Sequence, residues 1–404
     1  MLNILFVTIS YSQDSHVSFY EDLLQEFVAH GHEVHVACAS EKRDCAKTCR
    51  SHVRGIDVLR VRTGNLTGNV GIIEKGIATI GVDGRFKRAI ARFFDGIVFD
   101  LIIYPTPPIT LAGTVEYLKK KTGAATYLLL KDIFPQNAVD LGMISRSGVE
   151  GAVYRFFREK ERRLYRVSDF IGCMSPANVS YLLEHNEGID SSIVEVCPNC
   201  IKPKNYDALS AQASSMLKRR YGIPEEGTVF LYGGNLGKPQ GIDFVLDCLK
   251  SCSSQKDAFF LIVGGGSEAD RIHEFISENA ISNAAIVGPL PKEEYELMVN
   301  LCDVGLVFLD YRFTIPNFPS RMLSYLQAGL PIIVCSDPCT DMGDIAEDNG
   351  FGWKCLSDDS RQFARIVAEA TRANVGEMGM RGRRFLEENY DVRRGYEIVM
   401  AHFA

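Results

Sequence analysis

The chain of 404 residues contains a single tryptophan, and none of its apolar runs approaches the ~18 residues that a membrane-crossing helix requires. Met1 leads straight into the apolar segment Leu2 to Ile9, too short to span a bilayer and without a basic leader, so no secretory signal is expected there. No glycine-rich loop carries a G-K-[ST] ending, and no G-x-G-x-x-G fingerprint occurs, which excludes a P-loop and the common dinucleotide signature. A compact Asp-x-Asp pair and a His/Cys ligand cluster are also missing, so no tightly held catalytic metal is expected. An excess of basic charge is lacking as well. Basic and acidic side chains balance over the first 200 residues, and the second half carries the whole net charge of −7, which is unlike a nucleic-acid binder.

Twelve cysteines are present, but without a signal peptide they point to reduced thiols in a cytoplasm, not to a disulfide framework. Cys197-Pro198-Asn199-Cys200 has the spacing of a redox pair without the thioredoxin-sized context such a pair needs. A hydrophobic content of 46% with 24% charged residues is that of a soluble globular protein, and the length suggests two or three domains.

Short apolar runs alternate with helical patterns throughout. Leu2 to Ser10 and Glu33 to Ala39 read as buried parallel strands around a helix carrying Phe19, Leu23, Leu24, Phe27 and Val28, and this βαβ unit sets the class as α/β. Further strands are expected at Arg54 to Val61, Asp100 to Pro108, Ala125 to Leu130, Phe170 to Met174 and Val194 to Cys197, with a weakly patterned stretch from Asn65 to Gly84. His16, after the first strand, faces either a ligand or solvent. Asp132, just past a strand end, is either a reacting group or a helix cap. Arg85 to Phe99 and Tyr154 to Arg166 are basic and amphipathic, fitting either an anionic membrane surface or core-facing helices with solvated basic faces.

Lys202 to Ser215 is polar and reads as a linker, after which the pattern restarts. Strands at Val229 to Tyr232, Phe259 to Val263 and Ala284 to Val287 each run into a loop. Those loops are Gly233 to Gly241, Gly264 to Ser267 and Gly288 to Pro291. Glycine lets backbone N–H groups approach a phosphate closely, and Lys238 adds positive charge. A strand from Val304 to Leu309 then leads through Pro316, Pro319 and Ser320 into a helix stopped by Gly329, before a strand from Pro331 to Cys335. Ser320 is expected to cap that helix, and Arg321 in its first turn can bind phosphate in a bidentate manner. The tail Met378 to Tyr396 is predicted helical.

The series HGHEVHV, KDIFPQNAVDLGMI, PNC, GGNLGKPQG, LIVGGGSE and PSRMLSYLQAGLPII resembles glycosyltransferase family 4 in order and spacing, within a bacterial surface-polysaccharide branch, and covers nearly the whole chain. The resemblance implies an α/β GT-B fold of two doubly wound Rossmann-like domains with a cleft between them. Residues 1–204 would receive the acceptor, 205–384 would hold the nucleotide-sugar, and 385–404 would form a helix returning to the first domain. It implies a retaining hexosyl- or N-acetylhexosaminyltransferase. The donor would be a nucleotide-sugar, UDP before GDP, with no tightly bound cofactor, and the acceptor a lipid-linked glycan. The expected location is the cytoplasmic face of the cell membrane. Asp132, Lys238 and Arg321 are the catalytic candidates. Gly234, Asn235, Gln240, Gly265, Pro289, Asn317, Ser320 and Ser324 are the donor-binding ones. The family's two glutamates fall on Pro316 and Ser324 and are absent here, which keeps open a catalytically silent partner subunit; a nucleotide-sugar epimerase, which shares the GT-B architecture but needs no acceptor, is the other alternative.

Overall fold

The computed structural model describes residues 1–11, 19–44, 47–65, 72–206 and 210–403, and His16 lies outside them. The chain divides into two compact units, Met1–Lys202 with Val392–Ala404, and Pro203–Asp391.

The first unit is built on eight strands: β1 Asn3–Thr8, β2 Glu33–Ser40, β3 Cys49–Val53, β4 Ile56–Arg62, β5 Leu101–Pro105, β6 Ala125–Leu130, β7 Phe170–Cys173 and β8 Val194–Val196. They are ordered β3-β4-β2-β1-β5-β6-β7-β8. All pairs are parallel except β3 with β4. Successive side chains of a strand face opposite ways, so β1 sends Leu5 and Val7 into one core and Ile4 and Phe6 into the other. A sheet covered on both faces needs such continuous apolar strands.

Three expectations need correction here. The strand expected from Arg54 to Val61 is present as β4, but it is the second arm of a hairpin whose first arm, β3, was not expected. Arg54 and Gly55, at φ 50° and 80°, turn the chain between β3 and β4, and Arg-Gly lacks the Asn-Gly or Asp-Gly signal of such turns. The weakly patterned stretch becomes helical from Ile72, and that helix continues to Phe93. Within the supposed linker, Ala211–Tyr221 is a helix whose first turn is capped by the Ser210 hydroxyl accepting from the N–H of Ala213 at 3.2 Å.

The last residues complete the first unit. Val392 and Val399 are buried with Ile4, Phe6, Leu24 and Phe27. The Tyr396 ring stacks on His30 at 4.0 Å, and the N–H of Val392 donates to the Ile201 carbonyl at 2.9 Å. Burying each valine is worth roughly 1.5–3 kcal/mol.

The second unit has six parallel strands: β9 Thr228–Asn235, β10 Ala258–Gly265, β11 Ala284–Val287, β12 Val304–Phe308, β13 Ile332–Ser336 and β14 Gly352–Leu356. Their order is β11-β10-β9-β12-β13-β14, so the winding reverses at β9 and β12. Ligands of open α/β sheets bind outside the carboxyl ends of the strands at such a reversal. The helix Arg321–Gln327 begins there and ends where Gly329 takes φ 73°, with Leu330 N–H donating to the Tyr325 carbonyl at 2.9 Å. No described helix is long and apolar enough to cross a membrane.

Candidate active site

Parallel strands bring their carboxyl ends to one edge, and in the second unit that edge is made of backbone. Gly264, at φ 148°, lies so close to Gly234 that a Cβ there would stand 1.8 Å from the Gly234 carbonyl oxygen. Asn235 is paired with Gly265, and Leu236 N–H donates to the Gly265 carbonyl at 2.9 Å. The Pro289 ring packs over Gly265. The loops after β9, β10 and β11 therefore touch one another.

Within the first loop, Gln240 is buried, and its amide oxygen accepts from Gly237 N–H at 3.1 Å and from the Asn235 amide at 3.3 Å. Its oxygen is thus committed to closing the loop. Lys238 stands on a single 3-10 turn, exposed and without an ion-pair partner among the described residues.

Arg321 reaches the same edge. A side chain at Gly234 would meet the guanidinium at 3.1 to 3.3 Å, and the guanidinium carbon lies 4.4 Å from the centre of the Tyr232 ring. One terminal nitrogen, Nη1, is buried without a hydrogen-bond partner, and no carboxylate pairs with the group among the described residues. Its surroundings include three phenols. Burial raises Tyr232 and Tyr325 above the usual tyrosine value and pushes Tyr295 up to about 12, with the nearby Arg321 charge pulling the other way in each case. All three are neutral near pH 7, so they leave the guanidinium charge uncompensated. A half-buried cation without a carboxylate partner, beside a glycine-rich backbone, is suited to an anion that approaches from the strand ends.

Of the two serines on this helix, Ser320 does not play the capping part expected of it. The Ser320 hydroxyl makes no capping hydrogen bond. The residue has helical φ −66° and ψ −10°, not the extended backbone from which a capping side chain reaches forward. The Ser324 hydroxyl donates to the Arg321 carbonyl at 2.8 Å, a contact within the helix. Asn317 is held by its backbone N–H, which donates to the Thr340 hydroxyl at 3.0 Å. That hydroxyl donates in turn to Asp337 at 2.9 Å. Burial pushes the Asp337 carboxyl up to about 6, against the opposing hydrogen bonds from Thr340 and from the backbone N–H groups of Cys339 and Thr340.

Asp132 belongs to the first unit, in the loop after β6. Its carboxylate accepts from the Asn137 amide at 2.9 Å, and burial raises its pKa against that bond. It is not the cap of the following helix, Gln136–Asp140, a position held by Pro135. Neighbouring Lys131 donates to the Cys197 carbonyl at 2.7 Å, and burial lowers its pKa. Cys197 and Cys200 are both buried free thiols.

The apolar side of residues 85–99 is spent on the core, where Phe86, Ile90, Phe94 and Phe99 are buried. Its basic side lines a groove of about 760 Å³ in which Lys47, Arg62, Arg85, Arg88 and Arg92 appear and no carboxylate does. On the helix Gly148–Val167, Val153 and Phe156 are exposed beside Arg155 and Arg162. Among the described residues, no three His, Cys, Asp or Glu side chains gather as a metal-ligand group.

Tyr232, Tyr295 and Tyr325 were not singled out from the sequence. The available signal was a tyrosine at the last apolar position before Gly233-Gly234, a place where an aromatic ring adjoins the loop.

Residues 200–381 match the family model described as glycosyl transferases group 1. The chain is 25% identical to the probable glycosyltransferase WbjE of Pseudomonas aeruginosa, over 75% of this chain and 77% of that one. It is 22% identical to a protein of Escherichia coli K12 named for colanic acid biosynthesis, the glycosyl transferase WcaI, over 61% and 60%. Among solved structures, a sucrose-phosphate synthase from Thermosynechococcus elongatus superposes with a TM-score of 0.77 at 14% identity, over 100% of this chain and 98% of the other. HepE of Anabaena, solved in complex with UDP, gives 0.70 at 13% identity over 100% and 99%. The fold is GT-B, the architecture of a class of glycosyltransferases. The resemblance read from the sequence holds: the chain is similar to group 1 glycosyltransferases, and the matched residues lie almost wholly in its second unit.

Proposed function

We propose that the protein is a retaining glycosyltransferase that moves a hexosyl or N-acetylhexosaminyl group from a UDP-sugar to a lipid-linked glycan during assembly of a bacterial surface polysaccharide. The observation that carries this reading is Arg321, an unpaired cation held against Gly234 at the strand ends of the matched domain. The UDP bound to the HepE structure supports the choice of nucleotide, and the names of WbjE and WcaI support the polysaccharide.

The chemistry asks for a stabilised leaving group. As the bond between the anomeric carbon and the diphosphate breaks, its electron pair goes to the β-phosphate oxygen, and Arg321, Lys238 and loop N–H groups meet that charge. The acceptor hydroxyl bonds to the anomeric carbon on the face the phosphate leaves, and its proton passes to that phosphate, so configuration is retained without an enzymic nucleophile. Gly234, Asn235, Gly265, Pro289, Asn317, Ser320 and Ser324 border the donor, and Gln240 shapes the loop that receives it. Asp132 contributes from the acceptor-binding first unit.

The basic groove beside Arg88 and the exposed Phe156 favour peripheral contact with an anionic membrane at its cytoplasmic face, where a lipid-linked acceptor would be met.

Thermal unfolding with UDP, GDP, CMP or no ligand tests the donor assignment. A nucleotide at ~100 times its dissociation constant stabilises the fold by ~2.7 kcal/mol, enough for a shift of a few degrees. A selective UDP shift is expected. A GDP shift would change the donor, and no shift with any nucleotide would leave a silent partner subunit as the better reading.

A further inference from the structure

The site above depends on Arg321 being held where it can serve a phosphate, yet among the described residues no carboxylate anchors this half-buried arginine. A carboxylate would hold the side chain but neutralise the charge the donor requires. The structure uses Tyr232 instead. Its ring lies face-on to the guanidinium, 4.4 Å from the guanidinium carbon, and attracts it without cancelling its charge. Its hydroxyl donates to the Asn235 carbonyl at 2.8 Å. Tyr232 is itself only 2% exposed, at the end of β9, so its position is set by the core. One side chain thus touches both halves of the anion site, the cation on one side and the glycine-rich loop on the other.

We infer that Tyr232 is a positioning residue that fixes Arg321 and the loop at Gly234–Asn235 relative to each other. This role rests on the reading of Arg321 as a donor-phosphate contact. The ring and the hydroxyl act separately. The ring sets the guanidinium, and the hydroxyl sets the loop carbonyl, which turns the loop's N–H groups to the side where the anion comes. Tyr325 supports the same arrangement from below, its hydroxyl accepting from Gly233 N–H at 2.9 Å and donating to the Leu306 carbonyl at 3.2 Å.

The test compares UDP, uridine and inorganic pyrophosphate by calorimetry on the full chain, in wild type, Tyr232→Phe and Tyr232→Leu, with unfolding temperatures measured alongside. Tyr232→Leu is expected to weaken UDP and pyrophosphate by about tenfold while uridine binding stays within about twofold. Tyr232→Phe keeps the ring and should lose no more than about threefold on UDP. Equal losses for uridine and UDP would reduce Tyr232 to a core residue, and unchanged UDP binding in a folded Leu variant would remove the role altogether. Should Tyr232→Leu not fold, a tenfold loss in Tyr232→Phe would assign the work to the hydroxyl and overturn the role given to the ring. If wild type binds pyrophosphate but not UDP, the nucleotide assignment fails and the same variants test Tyr232 with pyrophosphate. If wild type binds none of them, the donor reading and this inference fall together.

Discussion

Where β6 ends in the first unit, Lys131 gives its ammonium to the Cys197 carbonyl and Asp132 accepts from the Asn137 amide. Where β9 ends in the second unit, Arg321 faces neutral phenols and Lys238 has no ion-pair partner among the described residues. Both edges carry charge at the carboxyl ends of parallel strands, but one spends it internally and the other keeps it. On the proposed reading, the difference assigns separate tasks. An edge with an unneutralised cation is fitted to hold a diphosphate, whereas a carboxyl raised by burial is fitted to act on a neutral hydroxyl.

The largest effect should come from the free cation. Arg321→Ala is expected to lower transfer by about 100-fold or more, measured as initial rate with the nucleotide-sugar, with little change in unfolding temperature because no partner carboxylate is left stranded. Lys238→Ala, removing an exposed charge, should cost about tenfold. A melting temperature that collapses in the Arg321 variant would erase the contrast between the two edges.

Asp132→Asn sharpens the same contrast from the other side. It should reduce turnover by about tenfold to 100-fold while leaving the UDP dissociation constant within about twofold. A matching loss of UDP affinity would show that the carboxyl serves the donor.

Asp337 supports the loop of Asn317 and supplies a smaller, pH-dependent effect. Its folded pKa is raised to about 6 by burial, so the folded state holds the proton more tightly than the unfolded chain does. Its contribution is therefore greatest below the ordinary carboxylate value and is lost as pH rises through about 6. The wild type should lose about 2 kcal/mol relative to Asp337→Asn between pH 4 and pH 6.5, read from urea unfolding at each pH. Parallel pH curves for the two proteins would refute the shifted carboxyl.

The smallest effect is expected at Ser320. Its hydroxyl caps nothing, so Ser320→Ala should change stability by less than about 0.3 kcal/mol, where a working cap is worth about 1. A loss near 1 kcal/mol in the same denaturation assay would restore the capping role.

The strands were legible because an interior strand of a covered sheet must be apolar along its length. Ala125–Leu130 and Ile332–Ser336 are interior strands of this kind, and each runs directly into a charged residue, Lys131 and Asp337. The β3–β4 hairpin was not legible, since β3 is an edge strand with half-exposed polar residues and its turn is Arg54-Gly55. In the site, the glycine loops and Arg321 stood out because their chemistry is local in sequence. The tyrosines did not. Tyr232, Tyr295 and Tyr325 lie on three different elements, and only the fold reveals that they surround one guanidinium. Ser320 was misread because residue type suggests a cap while backbone dihedrals decide it.

The return of Val392–Ala404 to the first unit has a consequence for how the molecule can be made. The second unit is an insertion, continuous from 203 to 391, whereas the first is assembled from both ends of the chain. During synthesis the ribosome releases the whole of the inserted piece before the residues that seal the first core, Val392 and Val399, emerge. The earlier-made unit is therefore the later one to finish. A fragment cut at 202 would present an open apolar groove along Leu24 and Phe27, but the inserted piece can be excised with both of its ends intact.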